Sequence, residues 1–215
     1  MNSDYIENNR IAYDTLSQEY ANRSKNRSEY EESPDFLVDN ILKFIPSSNR
    51  YAVLEIGPGS GDIINTFDKK GHLTVAVELS REISLLAKKN SPSSIIINSN
   101  ILDVTFIDNQ FDIIYVGAVI HLFPERDAIE LLNRLYCWLK QDGVLFINTT
   151  ISDKTEEGYF IKSDYKDQIK RFRRKWVEKD FKQFVCMKFS VIKTLYTNEL
   201  DRDKVWVGYI CKKYD

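Results

Sequence analysis

Cysteine is sparse in this chain: three in 215 residues, Cys137, Cys186 and Cys211. They are too few and too far apart for a disulfide framework or a Cys-x-x-Cys metal site, and they suit a reducing compartment. No apolar run approaches the roughly 18 residues that cross a bilayer. The first residues, Met1 to Glu7, are polar and acidic, unlike a secretion signal. Neither sign of charge dominates, because 30 Lys and Arg face 32 Asp and Glu for a net charge of −2. A protein that coats nucleic acid would carry a large basic surplus. Histidine is limited to His72 and His121, and no dedicated metal-ligand set is visible. Repeats and low-complexity tracts are also missing. What remains is a cytoplasmic globular protein of one domain, with 43% hydrophobic residues to fill a core.

The chain shows βαβ alternation from about residue 51. Short apolar runs at Tyr51–Ile56, Leu73–Glu78, Ser94–Asn98, Phe111–Val116 and Val144–Asn148 read as strands apolar on both faces. Helical patterns fall between them near 60–69, 80–90 and 124–140. Ser80 suits an N-cap, and Pro124 suits the first turn of the last helix. That helix carries Ala128, Leu131, Leu132, Leu135 and Leu139 as one stripe, with Gly143 after its end. Phe189–Leu195 and Val205–Cys211 are joined by too short a link for a parallel crossover, so they form an antiparallel hairpin. The expected fold is α/β: a Rossmann-like, seven-stranded, mostly parallel sheet with an antiparallel C-terminal hairpin strand and helices on both faces. A helical cover spans 1–46 and the main unit 47–215. In the cover, a first helix near 4–22 carries Tyr5, Ile11, Tyr13, Leu16 and Tyr20. A second starts at Ser33-Pro34 and buries Phe36, Leu37, Ile41 and Phe44, after a polar, mobile link over 22–32.

Residues 53–61 read Val-Leu-Glu-Ile-Gly-Pro-Gly-Ser-Gly, so a strand runs into Gly57, Gly59 and Gly61 before a helix. Glycine is needed where the chain turns with positive φ or where a ligand lies on the backbone. A dinucleotide fingerprint would need a third glycine at 62, where Asp62 stands. The nearby acids repel a pyrophosphate and favour a cationic ligand. Glu78 closes the second strand, placed to take both hydroxyls of a ribose.

Glu55-x-Gly57-x-Gly59-x-Gly61, Glu78, Phe111-Asp112-Ile-Ile and Leu139-Lys-Gln-Asp-Gly143-Val-Leu-Phe-Ile occur in the order found in one family. Over residues 50–150 the chain resembles class I S-adenosylmethionine-dependent methyltransferases that act on small molecules. The resemblance implies S-adenosylmethionine as cofactor, with S-adenosylhomocysteine as product. It implies Glu55 facing the methionyl ammonium, the Gly57–Gly61 backbone against methionine and ribose, and Glu78 on the ribose hydroxyls. Leu79 would pack on adenine. Asn100 would accept from the adenine amino group, with Asp103 a rival, and Ile101 would meet the ring through its backbone. Gly117 and Ala118 would pass near the transferable methyl.

Other residues admit two readings. His121 follows strand four, where it serves as a general base or as packing, since sulfonium methyl transfer needs no protein base. Tyr13 and Tyr20 share a helix face and form either a lid over the cofactor or the docking stripe of a packed helix. Residues 162–188 hold ten Lys and Arg against four acids. Tyr165, Ile169, Phe172 and Trp176 are spaced there as the inner stripe of an amphipathic helix. The charges then form its solvated face, or an RNA- or protein-binding surface. No Asn/Asp-Pro-Pro-Tyr/Phe motif follows strand four, which disfavours adenine amino and glutamine acceptors. The expected activity is methylation of a small molecule at O, N or C, by a monomer or homodimer away from membranes. The rivals are an RNA or protein methyltransferase and a cofactor-binding protein that does not methylate.

Overall fold

Alternating burial explains the sheet. In β1 (Ala52–Ile56) and β4 (Phe111–Val116), Leu54, Ile56, Ile114 and Val116 enter one core. Their neighbours Val53, Ile113 and Tyr115 enter a second core on the opposite face. A computed structural model describes residues 4–26, 33–161, 168–199 and 204–214, with backbone alone for 23–26 and 198–199. The other strands of the main sheet are β2 (Leu73–Glu78), β3 (Ile95–Asn98), β5 (Leu139–Thr150), β8 (Phe189–Glu199) and β9 (Lys204–Lys213). Their order is β3-β2-β1-β4-β5-β9-β8. The first five are parallel, whereas β9 runs antiparallel to both β5 and β8. The sequence expectation of seven strands with a reversed terminal hairpin holds.

α2 (Pro34–Leu42) and α3 (Asp62–Lys69) cover one face through Val38, Ile41, Ile64 and Phe67. α5 (Glu125–Trp138) covers the other through Ala128, Leu131, Leu132 and Leu135. α4 (Arg81–Asn90) starts at Ser80, whose side chain accepts from the Ile83 N–H as expected of an N-cap. The strand order reverses between β1 and β4, and the crevice beyond their C-terminal ends is where open α/β sheets bind ligands.

Several local expectations change. α5 stops at Trp138, with Pro124 at its N-cap, so Leu139 and Gly143 belong to β5 rather than to the helix and its end. The backbone register between β4 and β5 shifts there, and a Cβ on Gly143 would lie 2.9 Å from the Asp112 carbonyl oxygen. On α2, Val38 and Ile41 are buried while Phe36 is exposed. On α1 (Asp4–Asn26), Ile11 is also exposed, and the buried stripe is Tyr5, Asn9, Ala12 and Leu16. Most of the expected mobile link, 27–32, lies outside the described residues.

The largest correction concerns 162–188. Residues 162–167, Tyr165 among them, lie outside the described residues. Beyond them stand a strand, β7 (Lys170–Lys175), and a short helix, α6 (Glu178–Val185), instead of one long basic helix. β7 pairs antiparallel with β6 (Glu156–Ile161) in a separate two-stranded sheet. Glu157 stands opposite Arg174 and Glu156 opposite Lys175, each pair closing at 2.8 Å. Phe172 packs between Tyr5 and Tyr159. Cross-strand charge pairs and this aromatic contact favour a two-residue period over the helical spacing of the apolar residues.

Candidate active site

The turn after β1 is shaped by left-handed backbone. Gly57, Gly59 and Gly61 have φ of 66°, 56° and 84°. The Gly57 N–H donates to the Val77 carbonyl at 2.9 Å, which ties the loop to β2. A side chain on Gly57 would collide with Val119, and one on Gly59 with the Tyr20 hydroxyl. Gly61 caps α3, and a Cβ there would lie 3.0 Å from the Ala87 backbone of α4. Gly57 and Gly59 therefore form a bare backbone floor, while Gly61 is demanded by helix packing.

Two buried carboxyls support this floor. Glu78 at the end of β2 accepts from the backbone N–H groups of Ser80, Leu79 and Gly59. Glu55 lies beneath the loop, accepts from the Ile64 N–H of α3, and keeps its Oε2 buried with no hydrogen-bond partner. Desolvation pushes Glu55 up to about 8, against its Ile64 bond and with added repulsion from Asp62 and Glu78. Desolvation likewise raises Glu78 to about 7, with its three backbone donors opposing. An acid whose folded pKa exceeds its unfolded value binds its proton more tightly when folded. Unfolding then releases protons, and stability declines as pH rises from about 4.5 to about 8. Thermal melting of the ligand-free protein should show this decline, and Glu55→Gln should flatten much of it. An equally steep decline in the variant would separate Glu55 from the effect.

Above the floor lies a cavity lined by Gly57, Gly59, Glu78, Leu79, Asn100, Ile101, Gly117 and His121. Tyr13 and Tyr20 of α1 line it from above. Of the site residues expected from sequence, Glu55, Gly61 and the rival Asp103 do not reach its wall. Asn100 points its carbonyl oxygen at the Leu102 N–H at 3.2 Å and its amide nitrogen at Asp103 at 3.3 Å. Asp103 itself is exposed and outside the lining. His121 is buried, its Nδ1 3.4 Å from the Thr149 hydroxyl and its ring edge-on to Trp206.

Asn148, Thr150, Arg171, Arg173, Lys204 and Trp206 are residues that sequence reasoning missed. Ala118 takes φ 58°, unusual for a residue with a side chain, and its N–H donates to Asn148 Oδ1 at 2.6 Å. Asn148 thereby fixes the turn beyond β4. Arg171 and Arg173, two apart on β7, also line the cavity, as do Thr150, Lys204 and Trp206. Their signal was the alternation of β7, which the helical spacing of Phe172 and Trp176 hid.

α1 is tied down at both ends of this roof. Tyr5 donates to Asp127 at 2.6 Å and Asn9 bridges the Leu122 carbonyl and the Phe172 N–H. Asp14 accepts from the Ser80 hydroxyl at 2.6 Å and from the Glu82 N–H at 3.3 Å.

A nucleoside with a cationic tail suits these residues. Bare backbone at Gly57 and Gly59 lines the cavity, and Glu78 stands as a buried acid at the end of β2. Glu55 keeps one buried oxygen without a hydrogen-bond partner, which marks this acid as one that burial holds protonated. Residues 54–147 match the sequence family described as "Methyltransferase domain". That stretch, a little under half of the chain, is similar in sequence to methyltransferase domains. The chain resembles part of the Plasmodium falciparum (isolate 3D7) phosphoethanolamine N-methyltransferase, 29% identical over 136 residues, 61% of this chain and 50% of that one. Methyltransferase-named YqeM of Bacillus subtilis (strain 168) is 26% identical over 137 residues, 60% of this chain and 55% of that one. The chain thus spans about half the length of these curated relatives. In fold it matches the Burkholderia thailandensis 1,6-didemethyltoxoflavin-N1-methyltransferase, solved with bound 1,6-didemethyltoxoflavin and S-adenosylhomocysteine. That likeness has a TM-score of 0.77 at 16% identity and covers 100% of this chain and 91% of the other.

Proposed function

We propose that the protein transfers the methyl group of S-adenosylmethionine to a small-molecule acceptor held between the glycine loop and β7. The observation that carries this reading is the roofed cavity itself. Its floor is the Gly57–Gly59 backbone and Glu78, and its roof and far wall are Tyr13, Tyr20, Arg171 and Arg173. A long polymer needs an open groove, whereas Tyr13 and Tyr20 of α1 line this cavity opposite the glycine loop, which favours a small acceptor. The basic stretch that favoured an RNA or protein acceptor does not form a solvated helix, since Arg171 and Arg174 are buried in β7. No helix among the described residues is long and apolar enough to cross a membrane. A cytoplasmic enzyme fits the free thiols Cys137, Cys186 and Cys211.

In this reading Glu78 holds the ribose hydroxyls, Leu79 and Ile101 flank the adenine, and Asn100 borders its edge. The bound cofactor supplies an electrophilic methyl on a sulfonium. The chain's own part is positioning and exclusion of water: Gly117 and Ala118, fixed by Asn148, border the space beside the methyl, and α1 closes it. His121 stands where an acceptor's proton can leave, although the displacement does not require a protein base. Incubation with methyl-labelled cofactor and a metabolite extract, followed by product analysis, tests the reading. Label should appear in a small product. Label confined to RNA or protein would refute the small acceptor, and cofactor bound but never consumed would refute methyl transfer.

Glu78→Ala should weaken S-adenosylhomocysteine binding by about 1–3 kcal/mol through loss of charge-assisted ribose bonds. Titration calorimetry on a folded variant measures this. Unchanged affinity would remove Glu78 from the cofactor site.

A further inference from the structure

Arg171 is 5% exposed, and its Nη1 donates to the Tyr13 hydroxyl while its guanidinium lies 5.4 Å from the centre of that ring. Among the described residues no carboxylate pairs with it. Three residues on, on the other face of the same strand, Arg174 is also buried but closes on Glu125 at 3.0 Å and Glu157 at 2.8 Å. The two arginines differ in what they face: Arg174 meets acids, and Arg171 meets the cavity. A buried guanidinium without an acid is costly unless something anionic completes it, and its planar fork matches a carboxylate or phosphate in two-point contact. Arg173, which donates to the Thr150 hydroxyl, and Lys204 line the same cavity, and Glu78 is the one acid among its described lining residues.

We propose that the acceptor carries an oxyanion, a carboxylate or a phosphate, which seats on Arg171 with Arg173 and Lys204 beside it. The inference rests on the methyl-transfer reading and names the substrate class of that site. Its place argues for the acceptor over the cofactor's own carboxylate. Arg171 is held by Tyr13, whereas the part of α1 that meets the glycine loop is Tyr20, seven residues on and about 10 Å along the helix. Thr150 and Trp206, the other walls near β7, come from β5 and β9, on the side of β4 away from the adenosine-binding strand β2. A cationic amine acceptor would be repelled there, and an anionic one would be oriented by its fixed end.

The test is calorimetry on protein saturated with S-adenosylhomocysteine, titrated with inorganic phosphate and, separately, with benzoate. At least one should bind the wild type. The Arg171→Gln variant should lose that affinity by about tenfold or more, and Arg171→Lys should keep part of it. Which probe binds more tightly tells phosphate from carboxylate. S-Adenosylhomocysteine affinity should stay within about threefold in both variants, whose folding is checked by melting. Failure of both anions to bind, or equal anion binding in Arg171→Gln, overturns the inference and leaves methyl transfer standing. A large loss of S-adenosylhomocysteine affinity in Arg171→Gln also overturns it, by assigning the arginine to the cofactor. Wild-type protein that binds no S-adenosylhomocysteine overturns the methyl-transfer reading itself.

Discussion

Gly57→Val is expected to abolish S-adenosylhomocysteine binding, with an affinity loss of at least about a hundredfold. Two independent effects combine. At φ 66° a residue with a side chain adopts the left-handed region, which a β-branched residue resists most. The added Cβ would also collide with Val119, pushing apart the glycine loop and the turn beyond β4, both of which line the cavity. Some fold stability will be lost too, on the order of 1–2 kcal/mol from backbone strain. Gly57→Ala separates the two effects, because it keeps the strained φ with a smaller side chain and should retain weak binding. Calorimetry beside thermal melting distinguishes lost binding from lost folding. A folded Gly57→Val protein with ordinary affinity would mean that the loop is a turn and nothing more.

The parts legible in the sequence are those governed by local chemistry. Strands β1, β2, β4 and β5 announced themselves as apolar runs, because a sheet covered on both faces buries most residues of a strand. The glycine loop and Glu78 were legible because positive φ and a strand-end acid each leave a mark on residue type. What was hidden depends on partners distant in sequence. β7 reads as a charged helix until Glu156 and Glu157 are set opposite Lys175 and Arg174, a pairing that no local window contains. Asn148 looks like an ordinary strand residue until the chain brings Ala118 to its amide oxygen, thirty positions away. Glu55 was legible as an acid near the loop, but its side chain turns toward Ile64 and under the floor. The face a strand residue presents is set by register, and register comes from the whole sheet.

The helix α1 joins both readings given to it by the sequence. Its Tyr5, Ala12 and Leu16 are buried as packing, while Tyr13 and Tyr20 line the cavity. Removing residues 1–22 is therefore expected to lower the melting temperature as well as activity, which makes truncation alone a blunt test. Tyr20→Ala is sharper, because Tyr20 is only partly buried and its hydroxyl lies against Gly59. The variant should melt near the wild type yet lose about tenfold to a hundredfold in turnover, through a breach that admits water beside the reacting groups. Opening of α1 has its own readout. The polar anchors of the helix, Tyr5 on Asp127, Asn9 on Leu122 and Phe172, and Asp14 on Ser80, open at less cost than the core strands. A ligand touching Tyr13 and Tyr20 adds contacts that favour the closed state. Amide hydrogen exchange across residues 5–20 should accordingly slow when S-adenosylhomocysteine is added, more than across β1 and β4. Equal exchange with and without ligand, together with an active Tyr20→Ala enzyme, would make α1 a fixed wall.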